Sequence, residues 1–285
     1  MTSTADSPVS RYHLPGTRTD RLAQGPRTVY ADGGGCLIAD TPSFRESNWR
    51  HRLILAQEPG DDLWRWFLRW QEAHQGKGIK KAILTFEDEV EAPCEGEGGF
   101  QHRLEGLVGW PSAQGVVIRA LRGGEWAAAE ALDLAINAGE GPSEVAHAAR
   151  AWALRREGVQ EGWMRQWGAF VDWRLVGLAA LAEGEREARF QDVEVDEAFR
   201  RRGIARALVG SLSADAGRRR PGRDVWINAL IGSSAQRIYR GLGFVFASRQ
   251  RWWTVDAPVG AEEIRERWAR LQAGDGGLVE GAGPG

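Results

Sequence analysis

The segment Val193–Ala205 constrains the fold of this chain more than any other part of the sequence. It runs from an apolar alternation at Val193 and Val195 through three consecutive arginines, Arg200–Arg202, to Gly203 and then into an apolar helical face. A strand that enters a helix through a glycine-containing loop presents unpaired backbone N–H groups and the positive end of the helix dipole. Arginine side chains at the same place add charge-assisted hydrogen bonds to phosphate oxygens. The segment therefore predicts a loop that binds a polyanion such as a pyrophosphate, with a solvated basic helix start as the alternative.

Charge and composition exclude several classes of function. The chain has 285 residues and a formal net charge of −2, which argues against a nucleic-acid coat or a polybasic membrane arm. No stretch approaches the roughly 18 consecutive apolar residues of a membrane span. The start of the chain, Met1–Ser10, is polar and unlike a secretory signal, so we expect a cytoplasmic protein with no nucleic-acid and no membrane partner. Only two cysteines occur, Cys36 and Cys94, and they do not support a disulfide framework or a cysteine zinc site.

Composition divides the chain into four parts. The first part, residues 1–47, is rich in Gly, Thr, Asp and Pro, a composition that predicts a partly flexible lead-in. The run Pro111–Gly115 has the composition of a hinge between two domains. The end of the chain is expected to hold a helix at 261–271 and a flexible Gly-rich tail at 274–285. The four predicted parts are 1–47 (lead-in), 48–114 (first domain), 115–258 (second domain) and 259–285 (C-terminal helix and tail).

Hydrophobic periodicity predicts an α/β arrangement with hairpins in the second domain. The predicted elements there are, in order, a strand at 116–121, helices at 125–137 and 143–156, strands at 166–171, 175–181 and 189–195, a helix from 204, a strand at 224–230, a helix over 235–242, and strands at 244–247 and 251–255. In the first domain, strands at 52–56 and 79–86 flank a helix at 61–70, and a further apolar stretch covers 104–110.

A second motif follows the arginine loop after one predicted helix and one predicted strand. Two spacings match those of a known family: Arg200, Gly203 and Ala205 fit Arg/Gln-x-x-Gly-x-Gly/Ala, and Ala235, Tyr239, Gly243 and Phe244 fit Ala-x-x-x-Tyr-x-x-x-Gly-Phe. In this order the chain from about Gly115 to Pro258 resembles the GNAT superfamily of acyl-CoA-dependent N-acetyltransferases. The resemblance implies a mixed, mostly antiparallel twisted sheet flanked by helices, and acetyl-CoA as co-substrate without a metal.

The resemblance also implies roles for individual residues. The strand before the loop is splayed at a bulge in this family, and the backbone at Val193 and Val195 would pair with the pantetheine arm. Tyr239 matches the general acid for the departing thiolate, with core packing as its alternative role. Asn228, on the next strand, would hold a water or the cofactor amide, or it caps the strand end. The residues expected to surround the pyrophosphate, mainly through backbone N–H groups, are Arg200, Arg201, Arg202, Gly203, Ile204, Ala205 and Arg206.

The general base is less clearly marked in the sequence. No cysteine follows Cys94, so a cysteine acyl intermediate in the second domain is excluded and direct attack by an amine is preferred. An amine is protonated at neutral pH, so a carboxylate or a carboxylate-held water is expected to take its proton. Glu194 and Asp192 are the candidates, since they alternate with the valines; each could equally be a solvated strand residue. His147, on a predicted helix remote from the loop, is not expected to be the base.

The first domain has a strand–helix–strand–strand outline that is similar to a degenerate copy of the same fold. The resemblance to tandem acetyltransferases implies a non-catalytic GNAT-like half. Its histidines, His51, His74 and His102, lack close ligand spacing and predict no metal site. Two functions remain open for the chain: an N-acetyltransferase acting on the amine of a small molecule or peptide, or a non-catalytic acyl-CoA sensor. Either would act as a monomer or a homodimer.

Overall fold

The structure is a computed structural model that describes residues 12–92, 97–109, 113–137 and 142–257, together with the single positions 262, 266 and 269. The chain forms two compact units, one made of Met1–Phe100 and Ser248–Pro284 and the other of Gln101–Ala247. This division differs from the predicted boundaries at 114 and 258. Residues 101–109, 113 and 114 belong to the second unit, and residues 248–257 belong to the first.

The helices and strands are, in chain order, α1 (Pro15–Gln24), β1 (Val29–Asp32), β2 (Cys36–Asp40), β3 (Arg52–Leu55), α2 (Leu63–His74), β4 (Lys81–Asp88), β5 (Glu97–Leu104), β6 (Val117–Ala120), α3 (Trp126–Asn137), α4 (Pro142–Glu161), β7 (Met164–Val171), β8 (Arg174–Glu183), β9 (Glu187–Val195), α5 (Ile204–Arg219), β10 (Asp224–Leu230), α6 (Ser234–Arg240) and β11 (Phe244–Asp256). None of these described helices is both long enough and apolar enough to cross a bilayer.

The first unit carries strands in the order β1-β2-β3-β4-β11. β1, β2 and β3 are antiparallel neighbours, β3 and β4 are parallel, and β4 is antiparallel to β11. Helix α2 packs Leu63, Phe67 and Trp70 into the core of this unit. Within the segment predicted as a partly flexible lead-in, residues 12–47 contain α1, β1 and β2.

A distant carboxylate explains why the lead-in is ordered. The backbone N–H groups of Gly16 and Thr17, at the start of α1, donate to Glu87 Oε1 and Oε2 at 2.6 and 2.7 Å. Glu87 lies about seventy residues further along the chain, on β4, and is 6% exposed. No pattern within residues 1–47 contains this partner, so local composition indicated a loop.

The second unit has the predicted mixed, mostly antiparallel sheet flanked by helices. Its strand order is β5-β10-β9-β8-β7-β6. β6, β7, β8 and β9 are antiparallel neighbours, whereas β9 and β10 are parallel. α5 and α6 supply Leu208, Val209 and Tyr239 to a core with sheet residues such as Phe190 and Ile227. Residues from α3 and α4 pack with β8 in a separate cluster that contains Ala129, Trp152 and Leu178.

Two further expectations about the strands were wrong. The two predicted C-terminal strands are one continuous strand, β11, because the polar residues between them are buried and bonded. Ser248 Oγ donates to Glu87, and Gln250 Nε2 donates to Asp20 at 2.9 Å. The apolar stretch at 104–110 was expected to form the last strand of the first domain. The strand in this region is instead β5, which ends at Leu104, and the described residues 105–109 are not in a strand. Cys94 and the Gly-rich end at 274–285 lie outside the described residues, as does most of the predicted helix at 261–271.

Candidate functional site

The parallel strands β9 and β10 part before they end. Their ladder pairs Asp224 with Glu187, Val225 with Ala188, and Trp226 with Arg189. β9 continues to Val195 and β10 to Leu230 without further pairing between these two described segments. On the edges that face each other, the outer parts of β9 and β10 therefore leave backbone groups without a ladder partner, although the Val195 carbonyl accepts from Arg200 Nε at 3.2 Å.

A bulge in β9 adds to this separation. Leu178 of β8 is opposite Glu194 and Ala180 is opposite Gln191, so two residues, Asp192 and Val193, face Ala179 alone. Asp192 has a φ of +47°, in the left-handed region that only a few non-glycine residues adopt. The extra residue shifts the side-chain alternation, so Val193 and Val195 pack against the core that also contains Phe190. The resemblance implied a bulge here, and the structure contains one.

The loop after β9 leads directly into the start of α5. Asp196 Oδ1 accepts from the Ala198 N–H at 3.0 Å, which fixes the first turn of the loop. Arg201 and Gly203 then have φ angles of +66° and +78°. Left-handed residues that alternate with ordinary ones build anion-binding concavities from successive N–H groups. No side chain caps α5 at Gly203, so the first-turn N–H groups keep their capacity to bind an anion.

The side chains around this helix start carry positive charge. Arg200, Arg201 and Arg202 are exposed, Ala205 and Arg206 are half-buried, and Ile204 is buried in the core. Arg202 lies over the Phe199 ring at 4.9 Å, and Arg200 is 3.8 Å from Glu197. A Cβ placed on Gly203 would meet no atom within 4 Å, so the space in front of the helix start is open. All predicted pyrophosphate-loop residues thus lie together at one end of α5.

Tyr239 lies in the core of the second unit, with 6% of its surface exposed. Its ring is 6.2 Å from that of Phe244. Burial raises the pKa of its phenol above the ordinary value, so the hydroxyl holds its proton at physiological pH. This hydroxyl makes no hydrogen bond to any described residue, yet its oxygen is not completely enclosed by them. Tyr239 therefore packs in the core and also keeps a neutral, unengaged proton donor.

Glu194 is buried rather than solvated, with 9% of its surface exposed. Its Oε1 accepts a hydrogen bond from Asn137 Nδ2 at 2.6 Å, whereas its Oε2 is enclosed and has no hydrogen-bond partner within the described part of the chain. Burial raises the pKa of Glu194 to about 8, and the negative charges of Asp192 and Asp133 add to the rise. Such a carboxyl is about one-tenth ionised at pH 7 and half ionised near pH 8, and its ionised form is basic enough to accept a proton from an ammonium ion.

The other two polar candidates have different surroundings. Asp192 is half-buried and forms an ion pair with Arg155 of α4. Asn228 is half-buried on the part of β10 beyond its pairing with β9, and its side chain makes no hydrogen bond to a described residue. Asp192 is therefore engaged by a cation, while the Asn228 amide keeps its donors and acceptor available.

Three neighbours of Glu194 were not found from the sequence. Asp133 and Asn137 come from α3 and Arg155 comes from α4, more than thirty residues before the strand that carries Glu194. Asp133 accepts from Asn137 Nδ2 at 2.8 Å and lies 3.6 Å from Arg155 Nη1. The sequence offered one signal for these residues: Asp133 and Asn137 are polar and lie one turn apart on a predicted helix. Many solvated helices share this pattern.

One polar cluster in the first unit brings together residues that sequence spacing kept apart. Asp40, His51 and His74 offer oxygen and nitrogen atoms within 4.8 Å of one another. His51 Nδ1 lies 2.7 Å from Asp40 Oδ1 and its Nε2 lies 3.0 Å from the Phe44 carbonyl. Both His74 nitrogens contact backbone carbonyls, and Lys77 Nζ donates to Asp40 at 3.0 Å. These contacts make the cluster a hydrogen-bonded part of the core.

Comparison with known proteins finds one matching family model and several structures of similar fold. Residues 135–252 match the family model described as an acetyltransferase (GNAT) domain. No curated protein matches the chain in sequence. A conserved protein of unknown function from Staphylococcus epidermidis superposes with a TM-score of 0.62 at 13% identity, over 79% of this chain and 92% of that chain.

Two other solved structures share the fold. A GCN5-related N-acetyltransferase from Sphaerobacter thermophilus gives a TM-score of 0.55 at 15% identity, over 81% of this chain and 83% of that chain. A tandem GNAT protein from the clavulanic acid biosynthesis pathway gives 0.53 at 14% identity, over 82% of this chain and 85% of that chain. The shared fold thus extends well beyond the segment that matches the family model.

Proposed function

We propose that this chain, which carries a domain of the GNAT superfamily over residues 135–252, transfers an acetyl group from acetyl-CoA directly to the amine of a small molecule or peptide. One observation carries the proposal: β9 parts from β10 after Arg189 and leads into the uncapped, arginine-flanked start of α5. This arrangement would fit a single ligand that contains both an extended arm and a pyrophosphate.

The residues of the site fit acetyl-CoA in three places. The backbone of β9 at Val193 and Val195, which does not pair with β10, would hold the pantetheine arm. The N–H groups from Arg201 to Arg206 would hold the pyrophosphate, with the arginine side chains adding charge-assisted bonds. Asn228 would bond an amide of the arm. When bound, acetyl-CoA supplies an acetyl group activated as a thioester.

The chain's own residues would move the protons of the reaction. Glu194 Oε2 would accept the proton that the ammonium of the acceptor must lose before its nitrogen can attack. Tyr239 Oη would give its proton to the sulfur as the carbon–sulfur bond breaks. The acyl group then passes from sulfur to nitrogen in one transfer, and no side chain carries it.

The first unit would have no acyl-CoA site of its own. In the first unit, antiparallel strands are followed by β3, helix α2 and the parallel strand β4. This is the same order as β9, α5 and β10 in the second unit. However, β3 is paired with β4 along its whole length, from Arg52 with Ile83 to Leu55 with Phe86. The loop from 56 to 62 contains no arginine. We therefore assign it as a non-catalytic GNAT-like half.

Isothermal titration with acetyl-CoA and with free CoA tests the proposal. The double variant R201E/G203D puts two negative charges at the helix start, and aspartate tolerates left-handed backbone. Saturable binding by the wild type that is lost in this variant is the expected result. R218E is the matched control, because it reverses an exposed charge at the other end of α5. If the wild type binds neither ligand, or the double variant binds as tightly, the proposed function is wrong.

A further inference from the structure

The side-chain amide of Asn137 connects two carboxylates next to the separated strands. It is the last residue of α3, and its Nδ2 donates to Glu194 Oε1 at 2.6 Å and to Asp133 Oδ1 at 2.8 Å. A primary amide nitrogen has two hydrogens, so each carboxylate receives one. The opposite amide orientation would place the Asn137 oxygen against two carboxylate oxygens, which fixes the assignment.

The second carboxylate is itself held in place. Asp133 Oδ2 accepts from Trp152 Nε1 at 2.6 Å, and Trp152 is completely buried. Arg155 lies 3.6 Å from the same oxygen, is 4.6 Å from the Trp152 ring, and also pairs with Asp192. Asp133 therefore presents Oδ1 to Asn137 from a position set by the packing of α3 against α4.

These contacts treat the two oxygens of Glu194 differently. Oε1 is occupied by the Asn137 amide, whereas Oε2 is enclosed and has no hydrogen-bond partner among the residues that the structure describes. An enclosed carboxylate oxygen without a hydrogen bond is unfavourable and calls for a donor. Since Glu194 lies on the bulged part of β9 that does not pair with β10, the donor that fits is a group of the acceptor substrate.

We propose that Asn137 is a positioning residue that holds Glu194 by Oε1, so that Oε2 receives the proton of a cationic amine. This inference rests on the proposed function and names the residue that prepares its base. The charged groups that face Glu194 are Asp133 from α3, Arg155 from α4 and Asp192 from its own strand, while β8 presents the apolar Leu178. Two carboxylates against one guanidinium leave a site that attracts an ammonium ion and repels an acidic one.

The test is a pH titration of Glu194 in the protein without ligands. Carboxyl carbons of glutamate are labelled with 13C, and the E194Q variant identifies the Glu194 resonance. N137A removes a donor to the carboxylate and should raise the titration midpoint by about one pH unit. D133N removes a nearby negative charge and should lower the midpoint by a similar amount. E130A is the control, because Glu130 lies on α3 but pairs with Arg156 at 3.4 Å, and it should leave the midpoint unchanged.

Opposite shifts in N137A and D133N support the inference, since loosened packing alone would move both midpoints in the same direction. An unchanged midpoint in N137A, or shifts of the same sign in both variants, would overturn it. Titration of each protein with acetyl-CoA separates this result from the proposed function. If the protein binds acetyl-CoA but the midpoints do not shift, only the role of Asn137 is wrong. If the midpoints shift but the protein does not bind acetyl-CoA, the transferase assignment is wrong.

Discussion

Gly243, the glycine of the second sequence motif, packs its backbone directly against the backbone of Gly106. Its φ is +95°, and a Cβ at this position would overlap the Gly106 carbonyl group. Two hydrogen bonds fix the approach: the Glu105 N–H donates to the Gly243 carbonyl at 3.2 Å, and the Val108 N–H donates to the Leu242 carbonyl at 3.0 Å. Glycine is therefore required here by both backbone conformation and close contact.

We expect G243A to destabilise the protein by several kcal/mol, because it adds a steric clash to the cost of a left-handed alanine. G222A is the matched control, since Gly222 has a φ of +80° but no atom within 4 Å of its would-be Cβ. It should cost only about 1 kcal/mol. Denaturant unfolding of both variants measures the difference, and equal losses would show that the contact with Gly106 contributes nothing.

The Tyr239 hydroxyl supplies a separate prediction about the rate. Y239F removes the proton donor and keeps the ring in the core, so acetyl-CoA should bind with unchanged affinity while the acetyl transfer rate falls about 100-fold. Thiol release measures the rate and calorimetry measures the affinity.

Y30F makes the same chemical change in the first unit, where the Tyr30 hydroxyl donates to Gln24 at 2.6 Å. It should leave the rate unchanged and cost about 1 kcal/mol of stability. A wild-type rate in Y239F would limit Tyr239 to its packing role.

Local patterns in the sequence were sufficient for much of the second unit. The strand at Asp224–Leu230 has the predicted bounds, and α3 ends at the predicted Asn137. Both are short apolar segments with glycines close by in the sequence, at Gly222 and Gly232 for the strand and at Gly139 for the helix. The loop at Arg200–Gly203 was likewise marked by neighbouring residues.

The features that the sequence did not reveal depend on distant residues. The order of α1 depends on Glu87, and the environment of Glu194 depends on Asn137, which is 57 residues away. The left-handed backbone at Asp192 follows from the two-against-one pairing with β8. Long-range hydrogen bonds and register leave no periodic signal, so they became evident only in the folded chain.

The capping of α1 by Glu87 can be tested directly. E87A removes both acceptors from the Gly16 and Thr17 N–H groups and leaves these donors and Ser248 buried, so we expect a loss of roughly 3 kcal/mol or more. E89A is the control, because Glu89 directly follows β4 and is exposed. It should change the free energy of unfolding by less than about 0.5 kcal/mol. Amide hydrogen exchange of α1 should rise in E87A alone. Unchanged protection there would mean that the helix is held by other contacts.

The raised pKa of Glu194 makes stability depend on pH in a defined direction. In the unfolded chain this carboxyl loses its proton near pH 4.3, and in the folded chain near pH 8. Between these values the folded protein binds a proton that the unfolded chain has lost, so this group makes stability fall as pH rises, by up to about 1.4 kcal/mol per pH unit. E194Q keeps an oxygen for the Asn137 amide and has no such titration. Urea unfolding at pH 6 and pH 8.5 should therefore show wild-type stability falling relative to E194Q, and parallel pH dependence of the two proteins would show that Glu194 is ionised at both pH values.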